Sequence, residues 1–350
     1  MPTVFYNEER DISGAVHGDD FTFLGYPEDL DDLEAALKSW FEVKVRGRLG
    51  PDEKDDKEII ILGRTVTWDK DGIRIVADKK HAEAIKKYCG LDENSKGLGS
   101  PGKKPESQEL FGEGVDEEIP VKDKKRITEY RCMAATANYL GADRVDVQFG
   151  AKELCRSMSA PTEKSFLNLK HFGRYLVQVP EAELFFKDQG PVNCMEVFVD
   201  SDWAGCPSTR KSTSGGFLVL GKHIVKTWSS TQATRALSSG EAEFYAIIEG
   251  ASRSLGVQAL MEDMGFVCKI KMKSGSSAGR SISLRKGTGK VRHLQVKYLW
   301  IQDALFEKRL EIEKVRGVDN PADIGTKFLM THEVQAVAER YGFVMKPRRK

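Results

Sequence analysis

The order of apolar and polar segments in residues 193 to 330 constrains the fold more than any other feature of the sequence. Three short, strand-like apolar runs are followed by a long helical segment, a fourth strand, further helical segments, a last strand and a short helix. The first strand, in VFVDSDWAG, ends on Asp200 instead of an uncharged turn residue. This order predicts a mixed five-stranded sheet flanked by helices.

The long helical segment, ALSSGEAEFYAIIEGASRSLGVQALMEDMGF, contains a start signal. Ser238 and Glu241 fit the capping box S-x-x-E, which predicts Ser238 as the N-cap and a Glu241 side chain that bonds back to it. Glu243 lies in the first turns beside an apolar stripe that should face the sheet. Because burying a lone carboxylate is costly, Glu243 is expected either to be solvated at the edge or to be paired with a cation.

Asp200, Glu243 and Asp323, the last in GVDNPADIGTKF, lie at the ends of separate predicted elements. Carboxylates from separate elements suit a hard cation such as Mg²⁺, which takes oxygen ligands and leaves positions for phosphate oxygens. Two such ions can activate a water and stabilise the leaving oxygen in phosphodiester hydrolysis. Spacing alone leaves open both a metal site and a set of ordinary solvated carboxylates.

Composition argues against several classes of protein. The six cysteines include no Cys-x-x-Cys pair and no paired histidine spacing, which argues against a zinc site or a disulfide framework. The first residues, MPTVFYNEERD, lack the apolar region of a secretion signal, and no apolar run is long enough to cross a bilayer. We therefore expect a soluble chain, cytoplasmic or nuclear, with no membrane partner.

Charge is distributed unevenly, although the formal net charge is +1. Residues 1 to 60 carry 16 acidic and 7 basic side chains, whereas residues 280 to 316 carry 4 acidic and 10 basic ones. The basic stretch leads into a helix whose amides, together with the cations, can bind phosphates. It therefore predicts a nucleic-acid-binding surface, with a solvated basic face as the alternative. The candidate contact residues are Arg285, Lys286, Lys290, Arg292, His293 and Lys297.

Five motifs in this order resemble the ribonuclease H domain of copia-type retrotransposon Pol polyproteins: VDSDWAG, STSGGFLVLG, WSSTQATRALSSGEAEFYA, SSAGRSISLRKGTGKVRHLQVKYLWIQ and VDNPADIGTK. Upstream, VHGDDFTFLG is similar to the palm motif of the reverse transcriptases of the same family, whose paired aspartates correspond to Asp19 and Asp20. The segment from ITEYRCMAATANYL to LKHFGRYLVQVP resembles the helical connection between polymerase and nuclease. The resemblance thus covers nearly the whole chain.

The resemblance implies a ribonuclease H-like mixed five-stranded sheet with flanking helices, preceded by a partial reverse transcriptase palm and thumb and a helical connection. It implies an endonuclease that depends on Mg²⁺ or Mn²⁺ and cuts the RNA strand of RNA–DNA hybrids, with the rest of a Pol polyprotein as a further partner. The implied divisions are a partial palm and thumb (1–90), a flexible charged linker (91–125), the connection (126–190), the ribonuclease H-like domain (191–330) and a basic C-terminal tail (331–350).

The four-carboxylate site of the family corresponds to Asp200, Glu243, the residue just before SSAG, and Asp323. That third position is Gly275, and no Asp or Glu occurs between Asp263 and Asp303 that could replace it. Losing one of four carboxylates is expected to weaken metal binding and to misplace the ions, so that catalysis is impaired. Asp202 is expected to be a turn residue.

The polymerase half departs further from the family. Only eighteen residues precede Asp19, so the upstream metal-binding aspartate and the fingers are expected to be absent, and HGDDF is expected to be an acidic hairpin turn. Three hypotheses therefore stay open. They are an impaired ribonuclease H fragment, a non-catalytic nucleic-acid-binding remnant, and a host protein that uses the fold to bind a partner.

Overall fold

The computed structural model describes residues 3–103, 120–289 and 291–348. Parts of four predicted features therefore lie outside the described residues, namely residues 1 and 2 of the partial palm, residues 104 to 119 of the charged linker, Lys290, and residues 349 and 350 of the basic tail. The helices are α1 (Pro27–Trp40), α2 (Lys79–Tyr88), α3 (Lys124–Asp143), α4 (Gln148–Arg156), α5 (Glu163–Gln178), α6 (Ser239–Asp263), α7 (Ser277–Leu284), α8 (Trp300–Phe306) and α9 (Thr331–Ala338).

The described strands form three sheets. The strands are β1 (Val4–Asn7), β2 (Ile12–His17), β3 (Asp20–Leu24), β4 (Glu58–Ile61), β5 (Arg64–Asp69), β6 (Gly72–Val76), β7 (Glu181–Lys187), β8 (Cys194–Ser201), β9 (Thr213–Leu220), β10 (His223–Thr231), β11 (Lys269–Ser274), β12 (Glu311–Lys314) and β13 (Phe343–Lys346). Short 3-10 helices cover Val145–Val147, Val296–Tyr298, Gly317–Asp319, Pro321–Gly325 and Glu339–Tyr341.

The mixed sheet has the strand order β10-β9-β8-β11-β12. β9 is antiparallel to both of its neighbours, β10 and β8, whereas β11 is parallel to both β8 and β12. Together with the flanking helices, this is the ribonuclease H-like arrangement predicted above, and the fold class is confirmed.

Successive residues of β8 point to opposite faces of the mixed sheet, as strand geometry requires. Val197 and Val199 pack in a core with α6, α7 and α8 on one face. Phe198, between them, belongs to a second core on the other face, which it shares with α3, α5 and the C-terminal segment. There the Tyr341 ring lies 5.9 Å from the Phe198 ring and 5.4 Å from the Phe217 ring. The second face is therefore covered in part by residues from outside the predicted nuclease domain.

A second five-stranded sheet has the order β13-β7-β6-β5-β4, with antiparallel pairing throughout. It combines strands from the predicted palm and thumb, the end of the connection and the C-terminal segment. Residues 331–346, predicted as part of a basic tail, instead form α9, a 3-10 helix and β13. The reason is apolar burial, because Phe343 and Met345 alternate into the core while the backbone of β13 pairs with β7.

The described part of the predicted linker, residues 91–103, packs on the connection. The Leu98 amide donates to the Arg174 carbonyl, and the Arg174 side chain donates to the Lys96 carbonyl. The Thr331 amide at the start of α9 donates to the Gly99 carbonyl, which joins the segment to the C-terminal region. None of the helices within the described ranges is both long enough and apolar enough to cross a membrane.

Candidate active site at the edge of the mixed sheet

Three elements bring Asp200, Glu243 and Asp323 to one edge of the mixed sheet. Asp200 is the penultimate residue of β8, Glu243 lies in the first turns of α6, and Asp323 lies in the 3-10 helix Pro321–Gly325. The Asn320 side chain, at the N-cap of that 3-10 helix, donates to the carbonyl of Val199 at 3.0 Å. This bond ties the Asp323 turn to the strand that carries Asp200.

A glycine on β9 permits this close approach. Gly215 is paired with Asp200 in the β8–β9 ladder. A Cβ atom at Gly215 would lie 2.6 Å from the Ala322 carbonyl oxygen and 2.7 Å from Cγ2 of Thr326. Any larger residue would therefore push the turn away from the strand, and the Asp323 side chain with it.

The three carboxylates interact strongly. Burial, followed by the negative charges of Asp200 and Asp323, raises the pKa of Glu243 to about 8, against the opposing effect of Lys327. Burial and the charge of Asp200 likewise raise the pKa of Asp323 to about 6. Crowded carboxylates of this kind favour protonation or a bound cation.

Two neighbouring side chains already contact the cluster. Thr326 Oγ1 donates to Asp200 Oδ2 at 2.5 Å, and Lys327 Nζ lies 2.7 Å from Asp323 Oδ2. Oε2 of Glu243, in contrast, is buried and has no hydrogen-bond partner among the described residues. The sequence predicted that Glu243 is either solvated or paired with a cation. A buried oxygen without a partner favours pairing with a cation over solvation.

Gly275 lies beside Asp200 at the same edge. β11 runs parallel to β8 with Ser274 opposite Val199, so the next residue of each strand, Gly275 and Asp200, follows at the carboxyl end. A Cβ atom at Gly275 would meet only the Val315 carbonyl oxygen, at 3.8 Å. A Cβ atom therefore fits at Gly275, the position expected from the resemblance to correspond to the missing carboxylate.

The donor set, three carboxylates of which one oxygen is orphaned, suits a hard divalent cation chemically. Within the described residues, however, no group of three or more His, Cys, Asp and Glu side chains is arranged so that it could hold a metal ion as it stands. Thr326 and Lys327 take up oxygens of two of the carboxylates instead. The site thus has the donors for a metal but holds them in a closed arrangement.

The start of α6 follows the predicted capping box only in part. Ser238 Oγ accepts from the Glu241 amide at 3.2 Å, but the Glu241 carboxylate accepts from the Leu237 amide at 2.9 Å instead of from Ser238. Glu241 also accepts from Tyr245 Oη at 2.6 Å and contacts His293 Nε2 at 2.9 Å. Burial acts to raise the pKa of Glu241, but these contacts outweigh it and hold that pKa below its ordinary value. Glu241 therefore has a structural role.

Asp202 holds the turn after β8. Its Oδ1 accepts a short hydrogen bond from the Thr213 amide, and burial raises its pKa against that bond. Lys152 of α4 reaches the same point and donates to Thr213 Oγ1 at 2.7 Å. The connection helix is thereby attached next to the candidate site.

Some of the candidate nucleic-acid-binding side chains contact other groups of the protein, and others are exposed. Arg285 donates to the Thr288 carbonyl, and Lys286 Nζ lies 4.4 Å from the centre of the Phe306 ring. Arg292 is exposed, whereas His293 is engaged with Glu241.

Lys297, also exposed, lies over the Tyr298 ring at 4.9 Å. Leu294, before Lys297, and Ile301 of α8, after it, are both buried in the core on the α6 side. Lys290 falls outside the described residues.

Asp19 and Asp20 lie on the β2–β3 hairpin of the three-stranded sheet. Gly18 adopts φ of +61° in this turn, a conformation that favours glycine. Asp19 is exposed, and Asp20 forms an ion pair with Arg46 at 2.9 Å. The hairpin predicted for HGDDF is thus present.

The sequence analysis missed Thr326 and Lys327. Both follow Asp323 within four residues in DIGTK, and Lys327 is four residues after Asp323, a spacing at which side chains often meet in a helical turn. That spacing was the available signal. It could not show that the same lysine also faces Asp200 and Glu243, because those residues come from other elements.

The mixed sheet with its flanking helices has the ribonuclease H-like fold. No protein-family model matches the chain. The retrovirus-related Pol polyprotein from transposon RE1 of Arabidopsis thaliana is 26% identical over 223 residues, which cover 63% of this chain and 15% of that protein. The Pol polyprotein from transposon TNT 1-94 of Nicotiana tabacum is 23% identical over 345 residues, which cover 96% of this chain and 25% of that protein.

Homologues of the chain thus include copia-type, retrovirus-related Pol polyproteins from transposons, as the motifs predicted. The chain spans 15% to 25% of the length of the two described above.

Solved structures are similar only at a distance. The foamy viral protease–reverse transcriptase in complex with double-stranded DNA aligns over 87% of this chain and 55% of that chain, with a TM-score of 0.48 and 11% identity. The N-terminal ribonuclease H domain of a Mycobacterium tuberculosis protein, solved as a fusion with maltose-binding protein, aligns over 43% of this chain and 98% of that chain, with a TM-score of 0.27 and 17% identity.

Proposed function

We propose that the chain is a reverse transcriptase/ribonuclease H fragment of a transposon Pol polyprotein that binds RNA–DNA hybrids and cleaves them poorly. The observation that carries the proposal is the edge of the mixed sheet, where Asp200, Glu243 and Asp323 interact and Gly275 stands at the position of the missing fourth carboxylate. A divalent cation bound there would supply charge neutralisation for a phosphodiester under attack.

Impaired cleavage follows from the ligand set. Three carboxylates remain, two of them have oxygens engaged by Thr326 and Lys327, and the fourth position offers no side chain. Reaction rates are sensitive to small misplacements of the reacting groups, so even a site that still binds a cation is expected to be slow.

Hybrid binding is expected to survive because it depends on another surface. Arg292 and Lys297 are exposed next to the start of α8, and cations of this kind bind phosphates without contributing to the chemistry. Hybrid binding and cleavage are therefore expected to depend on different side chains.

The proposal is tested with a fluorescently labelled RNA–DNA hybrid. Binding is measured in EDTA, and cleavage is measured in Mg²⁺ and separately in Mn²⁺, for the unaltered chain and for Gly275→Asp. We expect similar hybrid affinities and a cleavage rate that rises at least about tenfold in Gly275→Asp, because the new carboxylate completes the ligand set.

Gly317→Asp is the matched control, since Gly317 is also exposed, with nothing within 4 Å of an added Cβ. It should leave cleavage unchanged. Failure of the unaltered chain to bind the hybrid would contradict the proposed function. Cleavage that Gly275→Asp does not improve would show that Gly275 is not the disabling change.

A further inference from the structure

Lys327 is placed to act on the whole carboxylate cluster and not only on its nearest partner. Its ammonium lies 2.7 Å from Asp323 Oδ2, and its backbone amide donates to the Asp323 carbonyl at 3.2 Å. Its charge also acts on Asp200 and on Glu243. One cation of the chain thus faces three carboxylates from three separate elements.

Among the groups that contact the three carboxylates, Lys327 is the one that most strongly opposes the binding of a metal cation. Thr326 Oγ1 holds one oxygen of Asp200, and Lys327 holds one oxygen of Asp323. The described residues around Glu243 leave its Oε2 buried without a partner. A hydroxyl such as that of Thr326 can turn to accept or donate elsewhere, whereas a positive charge beside the site opposes an incoming cation directly.

An ordinary stabilising ion pair is the simplest alternative, and the chain contains one for comparison. Lys346 lies 2.7 Å from Glu181 Oε1 in the other five-stranded sheet, and its side chain is 49% exposed, against 45% for Lys327. The two lysines match in residue type, contact distance and exposure. Lys346 also contacts Glu183 Oε2 at 2.8 Å, and it lies in the other sheet, whereas Lys327 lies beside the candidate active site.

We propose that Lys327 is the resident counter-ion of the carboxylate cluster and that it competes with a divalent cation for Asp323. Lys327 is accordingly a positioning residue, because it sets the metal affinity of the site through Asp323. The inference rests on the proposed function in that the cation is the one such a nuclease uses, but it needs no nucleic acid.

The test is the affinity for Mn²⁺ in the absence of nucleic acid, measured by isothermal titration calorimetry on the full chain. Lys327→Met keeps the length of the side chain and removes its charge, and we expect about tenfold tighter Mn²⁺ binding because a like charge has left the site. Lys327→Arg should keep the affinity of the unaltered chain. Lys346→Met should not change it either.

Thermal unfolding without metal supplies the second readout. Lys327→Met should unfold at a lower temperature than the unaltered chain and should gain more from added Mn²⁺, since the metal replaces the lost counter-ion. Weaker or unchanged Mn²⁺ binding in Lys327→Met, or an absence of Mn²⁺ binding in both chains, overturns the inference. Neither outcome bears on hybrid binding in EDTA, which tests the proposed function separately.

Discussion

At the scale of single residues, the carboxyl group of Glu243 is placed where its charged form is poorly solvated. Its side chain is half-buried at the start of α6, next to two other carboxylates, and its pKa is raised to about 8. A carboxyl group with a raised pKa binds its proton more tightly in the folded state than in the unfolded chain. The folded state is therefore more stable when Glu243 is protonated than when it is ionised.

The sign of the pH dependence follows from that shift. The contribution of Glu243 is fully present below its ordinary pKa of 4.5 and is lost as the pH rises through about 8. We expect the free energy of unfolding to fall by about 2 to 4 kcal/mol between roughly pH 5 and pH 9. Glu243→Gln should flatten this decrease, leaving a smaller one between the ordinary pKa of Asp323, 3.8, and its raised pKa of about 6.

Urea unfolding at several pH values in EDTA measures both curves. Glu262→Gln, an exposed change near the other end of α6, is the control and should follow the unaltered chain. Equal pH dependence in the unaltered chain and in Glu243→Gln would contradict the assignment of the buried proton to Glu243.

At the scale of single elements, α6 positions Glu243 by lying very close to the mixed sheet. A Cβ atom at Gly250 would lie 2.5 Å from Cγ1 of Val199 and 2.9 Å from Cε of Met272. Gly256, six residues further along the same helix, has nothing within 4 Å of the same point. Gly250 permits the close packing of α6 on the sheet, whereas Gly256 has no such role and makes the helix less stable than an alanine would.

These two glycines predict opposite effects of the same substitution. Gly256→Ala should raise the free energy of unfolding by about 0.5 to 1 kcal/mol, because alanine restricts the unfolded chain and favours the helix. Gly250→Ala should lower it by about 1 to 3 kcal/mol, because the methyl group has no space against β8 and β11. Chemical denaturation of the two variants, which serve as controls for each other, measures the difference. Changes of the same sign would contradict the packing described for α6.

At the scale of the whole molecule, basic side chains are concentrated in residues 280 to 316, whereas acidic side chains predominate in residues 1 to 60. Hybrid binding through exposed cations releases counter-ions, so affinity should fall steeply with salt. Replacing Arg292 and Lys297 together by alanine should lower the affinity for the hybrid. It should also make the slope of log affinity against log salt concentration less steep by about 2, because each lost phosphate contact accounts for roughly 0.9. Fluorescence anisotropy at four salt concentrations measures this slope.

Lys38→Ala with Lys54→Ala provides the control for that experiment. Both lysines are exposed and lie within the acidic first sixty residues. The control should leave the slope unchanged although it removes the same charge. A slope that falls equally in both double variants would indicate that the phosphates do not bind at the stretch that contains Arg292.

Part of the candidate site could be predicted from the sequence because its members sit at element ends. Asp200 and Glu243 are marked by the boundary of an apolar run and by the capping signal at Ser238, and motif order placed Asp323 and the gap at Gly275. The partners of Glu241 could not be predicted, because His293 is 52 residues away and reaches it only in the folded chain. For the same reason the contact of Thr326 with Asp200, 126 residues apart, could not be predicted.

Local patterns were sufficient for the individual strands of the mixed sheet, the long helix and the HGDDF hairpin, because hydrophobic period, capping and turn chemistry act over a few residues. They were not sufficient for the second sheet, in which β13 pairs with β7 about 160 residues earlier, nor for the burial of Phe198 and Phe217 against Tyr341. Which strand pairs with which, and which apolar face covers which, depends on the free energy of burying surfaces that are remote in sequence. The three carboxylates could be identified in the sequence, but their raised pKa values depend on burial and on the charges that the packing of three elements brings together.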